Sequence, residues 1–268
     1  MKIVKKSNII NKITHNLKNI GFVPTMGALH EGHTSLIKLS KKKTNKTIVS
    51  IFVNPKQFNK KKDYNTYPNK IKQDLALCKK LKVDYVFLPN TKEVYNWNSS
   101  ISKQPKIKNI MEEKFRKGHF DGVLKVMSQL LSIVNCAKVF MGKKDYQQLI
   151  LIKELIKLNK LKTKLVECKT VRIKNGAALS SRNLLLESHE IHLMGKVAKI
   201  LKNYKKQLKK VRFNSNFIKN KIYNLGIKNI DYVELIKLNT LSKVKKISNK
   251  TNIFIAYYIR NIRLIDNI

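Results

Sequence analysis

The chain has 268 residues, 57 Lys+Arg against 16 Asp+Glu for a formal net charge of +41, and 43% hydrophobic residues. That balance excludes a disordered polyelectrolyte, because apolar residues recur in every window while Gly and Pro are scarce, and it supplies one large domain or two modest ones. A disulfide-stapled scaffold is excluded too: Cys78, Cys136 and Cys168 are odd in number, widely spaced and set in apolar runs, as buried reduced thiols are.

In chain order, the N-terminal MKIVKKSNIINKI is broken by polar residues before any signal-peptide core could form, and no later stretch has the apolar length of a membrane helix. The expected location is cytoplasmic. Residues 20–24 form an apolar run ending in Pro-Thr-Met-Gly, and helical spacing follows from His33 through Leu39: strand, loop, helix. Residues 47–53 are β-branched and close on Asn54-Pro55, which suits a buried parallel strand and its exit turn. A helix is predicted over 69–81 and a strand over 83–88, stopped by Pro89. Residues 90–108 are polar and poorly patterned. Beyond them come a helix over 123–134, a strand over 138–141, a helix over 145–158 and a strand over 164–171.

Strands alternating with helices predict an α/β, doubly wound (Rossmann-like) parallel sheet in residues 1–170. After Arg182 the pattern changes to a long Lys-rich helix over 188–210, a helix over 216–225, and strands over 231–236 and 253–259. Residues 171–268 are therefore expected to form a smaller α+β C-terminal lid domain. With no Pro/Gly/Ser linker between the parts, close packing with the ligand between them is expected.

The most informative segment is PTMGALHEGH, residues 24–33, at a strand's carboxyl end and a helix's start, where open α/β sheets bind ligands. Helix N-terminal amides favour anions, Gly27 and Gly32 remove side chains where a nucleotide would lie, and His30 and His33 offer donors to phosphate. The plain alternative is two surface histidines in a glycine-containing turn.

PTMGALHEGH resembles the signature of the pantothenate synthetase (pantoate–β-alanine ligase) family, within the His-x-Gly-His nucleotidyltransferase superfamily. SIFVNPKQF (50–58), Tyr-Pro (67–68), KFRKGHFDGV (114–123), GKKDYQQL (142–149), ALSSRN (178–183) and RLIDN (263–267) follow in that family's order and approximate spacing. The resemblance implies that ATP and pantoate give pantoyl adenylate and pyrophosphate, after which β-alanine displaces AMP to give pantothenate. It also implies a Mg2+ requirement and a homodimer through the first domain, with no membrane and no specific nucleic-acid partner. Two anions must meet in the first step, so cationic and amide donors are required.

By the same resemblance, Met26, Gly27, Ala28, Leu29, His30, Glu31, Gly32 and His33 bind ATP, and His33 is a proton donor. Gly142, Lys143, Lys144 and Asp145 meet the phosphates or ribose, with Lys144 as a point charge; the backbone near Val171 meets the adenine. Leu179, Ser180, Ser181 and Arg182 resemble a loop over the triphosphate, although such serines also occur as ordinary helix caps. His30, His33, Lys144 and Arg182 are the catalytic set. Gln57 and Gln148 match the family's pantoate residues, Gln57 also touching β-alanine; Asn54, Tyr67, Arg116 and His119 are further candidates for that pocket.

The sequence departs from the family pattern in four places. Lys143 replaces the usual Glu before Lys-Asp, Lys117 replaces a proline, and Ala177 replaces a leucine. Two adjacent acids associated with magnesium read Gln73-Asp74 here, so no metal residue is assigned.

Two other readings remain. A different nucleotidyltransferase of the superfamily would retain a nucleotide in its product. A nucleic-acid module with relic motifs would use the basic surface, but lysine is spread from Lys2 to Lys250 with arginine rare, the mark of compositional drift. Such a surface also promotes non-specific RNA adsorption.

Overall fold

The computed structural model describes residues 1–58, 61–208 and 211–268. The chain divides into two compact units, Met1–Lys169 and Thr170–Ile268.

The first unit runs β1 (Lys2–Val4), α1 (Ser7–His15), β2 (Ile20–Thr25), α2 (Glu31–Lys43), β3 (Lys46–Ile51), α3 (Lys61–Asn65), α4 (Ile71–Lys80), β4 (Tyr85–Phe87), α5 (Thr91–Tyr95), α6 (Met111–Phe115), α7 (His119–Ile133), β5 (Lys138–Gly142), α8 (Tyr146–Leu158) and β6 (Lys164–Cys168). Its six strands pair in the order β1-β4-β3-β2-β5-β6, all parallel. Both faces are covered, and the pleat shows it. Phe22, Ile48, Phe87 and Val139 enter one apolar cluster with α7 and α8, while Val23, Val49, Val86 and Phe140, one residue on or before, enter another with Ile37 and Cys78. The doubly wound fold is as the strand–helix alternation predicts. The order reverses between β2 and β5, whose carboxyl ends therefore flank a crevice.

The second unit holds α9 (Ser188–Gln207), α10 (Ser215–Tyr223), β7 (Ile230–Lys237), β8 (Ser242–Lys243), β9 (Thr251–Ile259) and β10 (Ile262–Asn267). Its antiparallel sheet has the order β10-β9-β7-β8, and its core joins Val197 and Leu201 of α9 and Ile218 and Ile222 of α10 to Leu235, Ile253 and Ile255.

Predicted elements differ from the structure mainly at their ends. The first α/β helix begins at Glu31, two residues early, because His30 caps it. The strand predicted over 164–171 stops at Cys168, after which residues 171–179 fold back on themselves through an Arg172–Ala178 bridge. The helix predicted over 188–210 runs to Gln207, and residues 209–210 lie outside the described residues. In the stretch without pattern, Asn90 caps a short helix by accepting from the Glu93 amide at 2.9 Å. Among the described residues no helix is long and apolar enough to cross a membrane. The three cysteines are buried free thiols; burial pushes Cys78 and Cys136 up to about 12 and Cys168 to about 11, which keeps them inert.

Candidate active site

The turn after β2 is held from below. Thr25 Oγ1 donates to Ser50 O at 2.7 Å and accepts from the Gly27 amide at 3.2 Å. Gly27 and Ala28 both have positive φ, +82° and +50°. The buried Asp74 on α4 accepts from the Ala28 amide (2.9 Å) and the Leu29 amide (2.7 Å), one oxygen each. Burial raises the Asp74 pKa, opposed by those two amides and by Lys70.

Next comes a reciprocal cap. His30 Nδ1 accepts from the Gly32 amide at 3.1 Å, and His33 Nδ1 accepts from the His30 amide at 3.3 Å. An accepting Nδ1 carries no proton, so each neutral imidazole keeps its single N–H at Nε2. The rings lie 4.1 Å apart, tilted by 41°. Neutrality follows from the electrostatics. Burial and then Lys144 lower His30 to about 4, with Asp145 opposing; burial, His30 and Lys144 lower His33 to about 3. The amides of Ala28, Leu29, His30 and Gly32 are used within the chain, and the imidazole Nε2–H groups are further donors this segment presents.

Lys144 comes from the 3-10 turn Lys143–Asp145 after β5, the other strand flanking the crevice, and its Nζ lies 3.5 Å from Asp145 Oδ1. A side chain at Gly142 would meet nothing within 4 Å. Lys143, the departure from the family pattern, pairs with Glu167 of β6 at 3.2 Å, so its charge is met by an acid.

The third wall is the 3-10 turn Pro55–Gln57, organised by Asn54. Asn54 is buried and its amide is fully used: Oδ1 accepts from Tyr95 Oη (2.6 Å) and the Lys56 amide (3.1 Å), while Nδ2 donates to Gly122 O (3.1 Å) and Gln57 Oε1 (3.2 Å). Asn54 thus positions Gln57. The Gln57 Nε2 lies against Met26 Sδ, joining this turn to the one after β2. His119 Nδ1 donates to Gln57 O at 2.8 Å, so its Nε2 accepts from Arg116 Nη1 at 3.1 Å, and burial and Arg116 lower its pKa to about 4. Arg116 also faces Glu112 at 3.6 Å. Tyr67 packs edge-on against Phe58, ring centres 5.6 Å apart. Gln148 is half-buried on α8.

Sequence reasoning missed Gln147 beside it. Gln147 is buried, accepts from the Glu112 amide and donates to Ile110 O, both at 3.1 Å, pinning the chain where Met111 has φ +43°. The repeated Gln-Gln was the only signal, and spacing does not say which of two adjacent helical residues faces inward.

In the second unit, Val171 O accepts from the Leu179 amide at 3.0 Å. Arg172 binds both oxygens of Asp266 at 2.8 and 2.9 Å and also Gly176 O and Asn267 O. That gives the terminal RLIDN motif a physical task, the anchoring of the 171–179 fold-back. Ser180 caps the 3-10 turn Ser181–Leu185 in a reciprocal box with Asn183, Ser181 is buried, and Arg182 is half-buried on that turn. The cap reading of Ser180 is therefore part of its role.

Among the described residues no group of three or more His, Cys, Asp or Glu is arranged to hold a metal ion, and both Asp74 oxygens already accept from the backbone. The residues present do not build a magnesium cage.

Comparison with known proteins gives a consistent result. The model of the family described as pantoate-beta-alanine ligase matches residues 2–268. A pantothenate synthetase of Francisella tularensis subsp. novicida is 41% identical over 266 residues, 98% of this chain and 94% of that protein. The crystal structure of pantoate-beta-alanine ligase from Francisella tularensis, complexed with beta-gamma ATP and beta-alanine, is similar with a TM-score of 0.86 at 41% identity, over 100% of this chain and 97% of that one. Pantothenate synthetase from Thermus thermophilus superimposes with a TM-score of 0.89 at 27% identity, covering 100% of this chain and 99% of that one.

Proposed function

The chain belongs to the pantoate-beta-alanine ligase family, and from that premise we propose how its residues divide the work of joining pantoate to β-alanine at the expense of ATP. It is an ATP-dependent ligase of those two substrates. In the first half-reaction a pantoate carboxylate oxygen attacks the α-phosphorus, forming a P–O bond as the α–β bridge breaks and pyrophosphate leaves. In the second, the β-alanine amine attacks the acyl carbon of pantoyl adenylate, loses a proton and expels AMP as the amide forms.

The observation that carries this division is the pair of neutral imidazoles with locked tautomers beside Lys144. A neutral Nε2–H donates to a non-bridging phosphate oxygen without binding the ground-state triphosphate as tightly as an imidazolium would, which favours the transition state. Lys144 follows the charge onto the departing pyrophosphate, and by the family resemblance Arg182 is assigned to the triphosphate as well. Gln57, held by Asn54 and His119, and Gln148 offer uncharged amides to the pantoate hydroxyls. Gly142 leaves backbone room for the nucleotide, and the family resemblance assigns the adenine contact to the backbone near Val171. A magnesium ion accompanying ATP would offset phosphate charge, and none of these residues is assigned to hold it. By the same family reading the working form is a cytoplasmic homodimer built through the first unit, which sedimentation velocity would test by giving the mass of two chains.

The deciding experiment is pantoate-dependent exchange of labelled pyrophosphate into ATP, followed by product analysis with β-alanine. AMP, pyrophosphate and pantothenate are expected. A nucleotide retained in the product, or no exchange from folded protein, would reject the assignment.

A further inference from the structure

We propose that Asp74 is a positioning residue for this ligase: its carboxylate is the built-in anion of the turn after β2 and is not a magnesium ligand. The proposal rests on the ligase reading above. Successive backbone amides in a turn can converge on one anion. In the turn through Gly27 and Ala28, both of positive φ, the Ala28 and Leu29 amides converge on Asp74, which accepts from them with one oxygen each.

Ala28 is not a glycine, so its φ of +50° costs about 1 kcal/mol and has to be held. Two charge-assisted hydrogen bonds, donated by the Ala28 and Leu29 amides to a 2% exposed carboxylate, hold it. Asp74 is itself set by the first turn of α4, where its amide donates to Lys70 O at 2.9 Å. Leu29 directly precedes His30, the cap of α2, so the position of the Leu29 amide decides where that helix begins and where both imidazoles lie.

The surroundings are wrong for a dication. The adjacent residue is Gln73, and among the described residues the cavity of about 220 Å³ bordering Asp74 is lined by Lys70 and no other carboxylate, its oxygen-bearing side chains being the neutral Asn69, Asn90 and Thr91. Magnesium prefers several oxygen ligands in near-octahedral array and competes poorly for a carboxylate whose two oxygens already accept from amides.

Three measurements test the proposal. Manganese electron paramagnetic resonance on the wild-type protein without nucleotide should show no bound ion; tight uptake abolished in Asp74→Asn would overturn the proposal. Pyrophosphate exchange by Asp74→Asn should lose about 10²-fold in kcat, the scale of an ångström-sized misplacement, with the magnesium concentration dependence unchanged. A magnesium requirement raised tenfold would overturn the proposal. Adding Ala28→Gly should restore about tenfold of the loss, since glycine adopts the left-handed conformation unaided. No restoration counts against the proposal, because a lost metal ligand gains nothing from that glycine; restoration in kcat at a temperature where both variants are fully folded, so that added stability alone cannot supply it, is the expected result. If Asp74→Asn does not fold alone, the double variant is read against Ala28→Gly: activity within about tenfold supports the proposal and a loss beyond about 10²-fold overturns it. Failure of the wild type to exchange pyrophosphate would instead sink the ligase reading, independently of the manganese result.

Discussion

Single residues at this site act through protons they cannot take up. His30, His33 and His119 have pKa values lowered to about 4, 3 and 4, so between those values and 6.5 the unfolded chain binds protons that the native state refuses. Their stabilising contribution is present above pH 6.5 and is lost as pH falls toward 4. His33 and His119, the more deeply enclosed rings, each contribute up to about 1.4 kcal/mol per pH unit in their windows, the better-solvated His30 less. Urea denaturation from about pH 7 to about 4.5 should show this slope, and His119→Gln should flatten it. The kcat/KM of exchange, which reports the free enzyme, should show no inflection near 6.5 from these imidazoles while the protein stays folded. Lys144→Ala and His33→Ala should each slow adenylate formation by about 10² to 10³ in single-turnover experiments, as for loss of one aimed donor. Gln148→Ala should raise the KM for pantoate with little change in kcat.

Elements place these residues by close approach. Helix α7 lies so near the Pro55–Gln57 turn that a side-chain carbon at Gly122 would sit 2.1 Å from Lys56 O. Gly122→Ala must push the turn away from α7, costing about 1–3 kcal/mol of stability by denaturation. Because Gln57 rides on that turn, pantoate KM should rise while ATP KM stays near wild type. The PTMGALHEGH segment was legible as strand, turn and helix because punctuation by Pro and Gly is local. Gly122 was not: a glycine inside a helical pattern looks the same whether it faces solvent or another chain segment. Nor did Asp74, 45 residues from Leu29, advertise that it completes the turn. Spacing along one helix says nothing about an amide on another element.

Over the whole molecule, charge is spread thin. Asp84 is shared by Lys41 and Lys46, and Glu167 by Lys143 and Lys153, since acids are too few to go round. A net charge of +41 repels itself, so the melting temperature should rise as salt screens it. Adsorption of RNA should weaken steeply over the same salt range without sequence preference; salt-resistant, sequence-selective binding would show that the basic surface has a specific partner. The doubly wound sheet, its ligand edge and the order of the chemical motifs followed from sequence alone, because hydrophobic period and turn chemistry are properties of neighbouring residues. Edge elements such as β1 and β8, three and two residues long, carry too little pattern to be seen. The imidazole tautomers, the carboxylate under the β2 turn, the fully used amide of Asn54 and the Arg172–Asp266 fork were decided by tertiary structure, since each depends on burial or on a partner far along the chain.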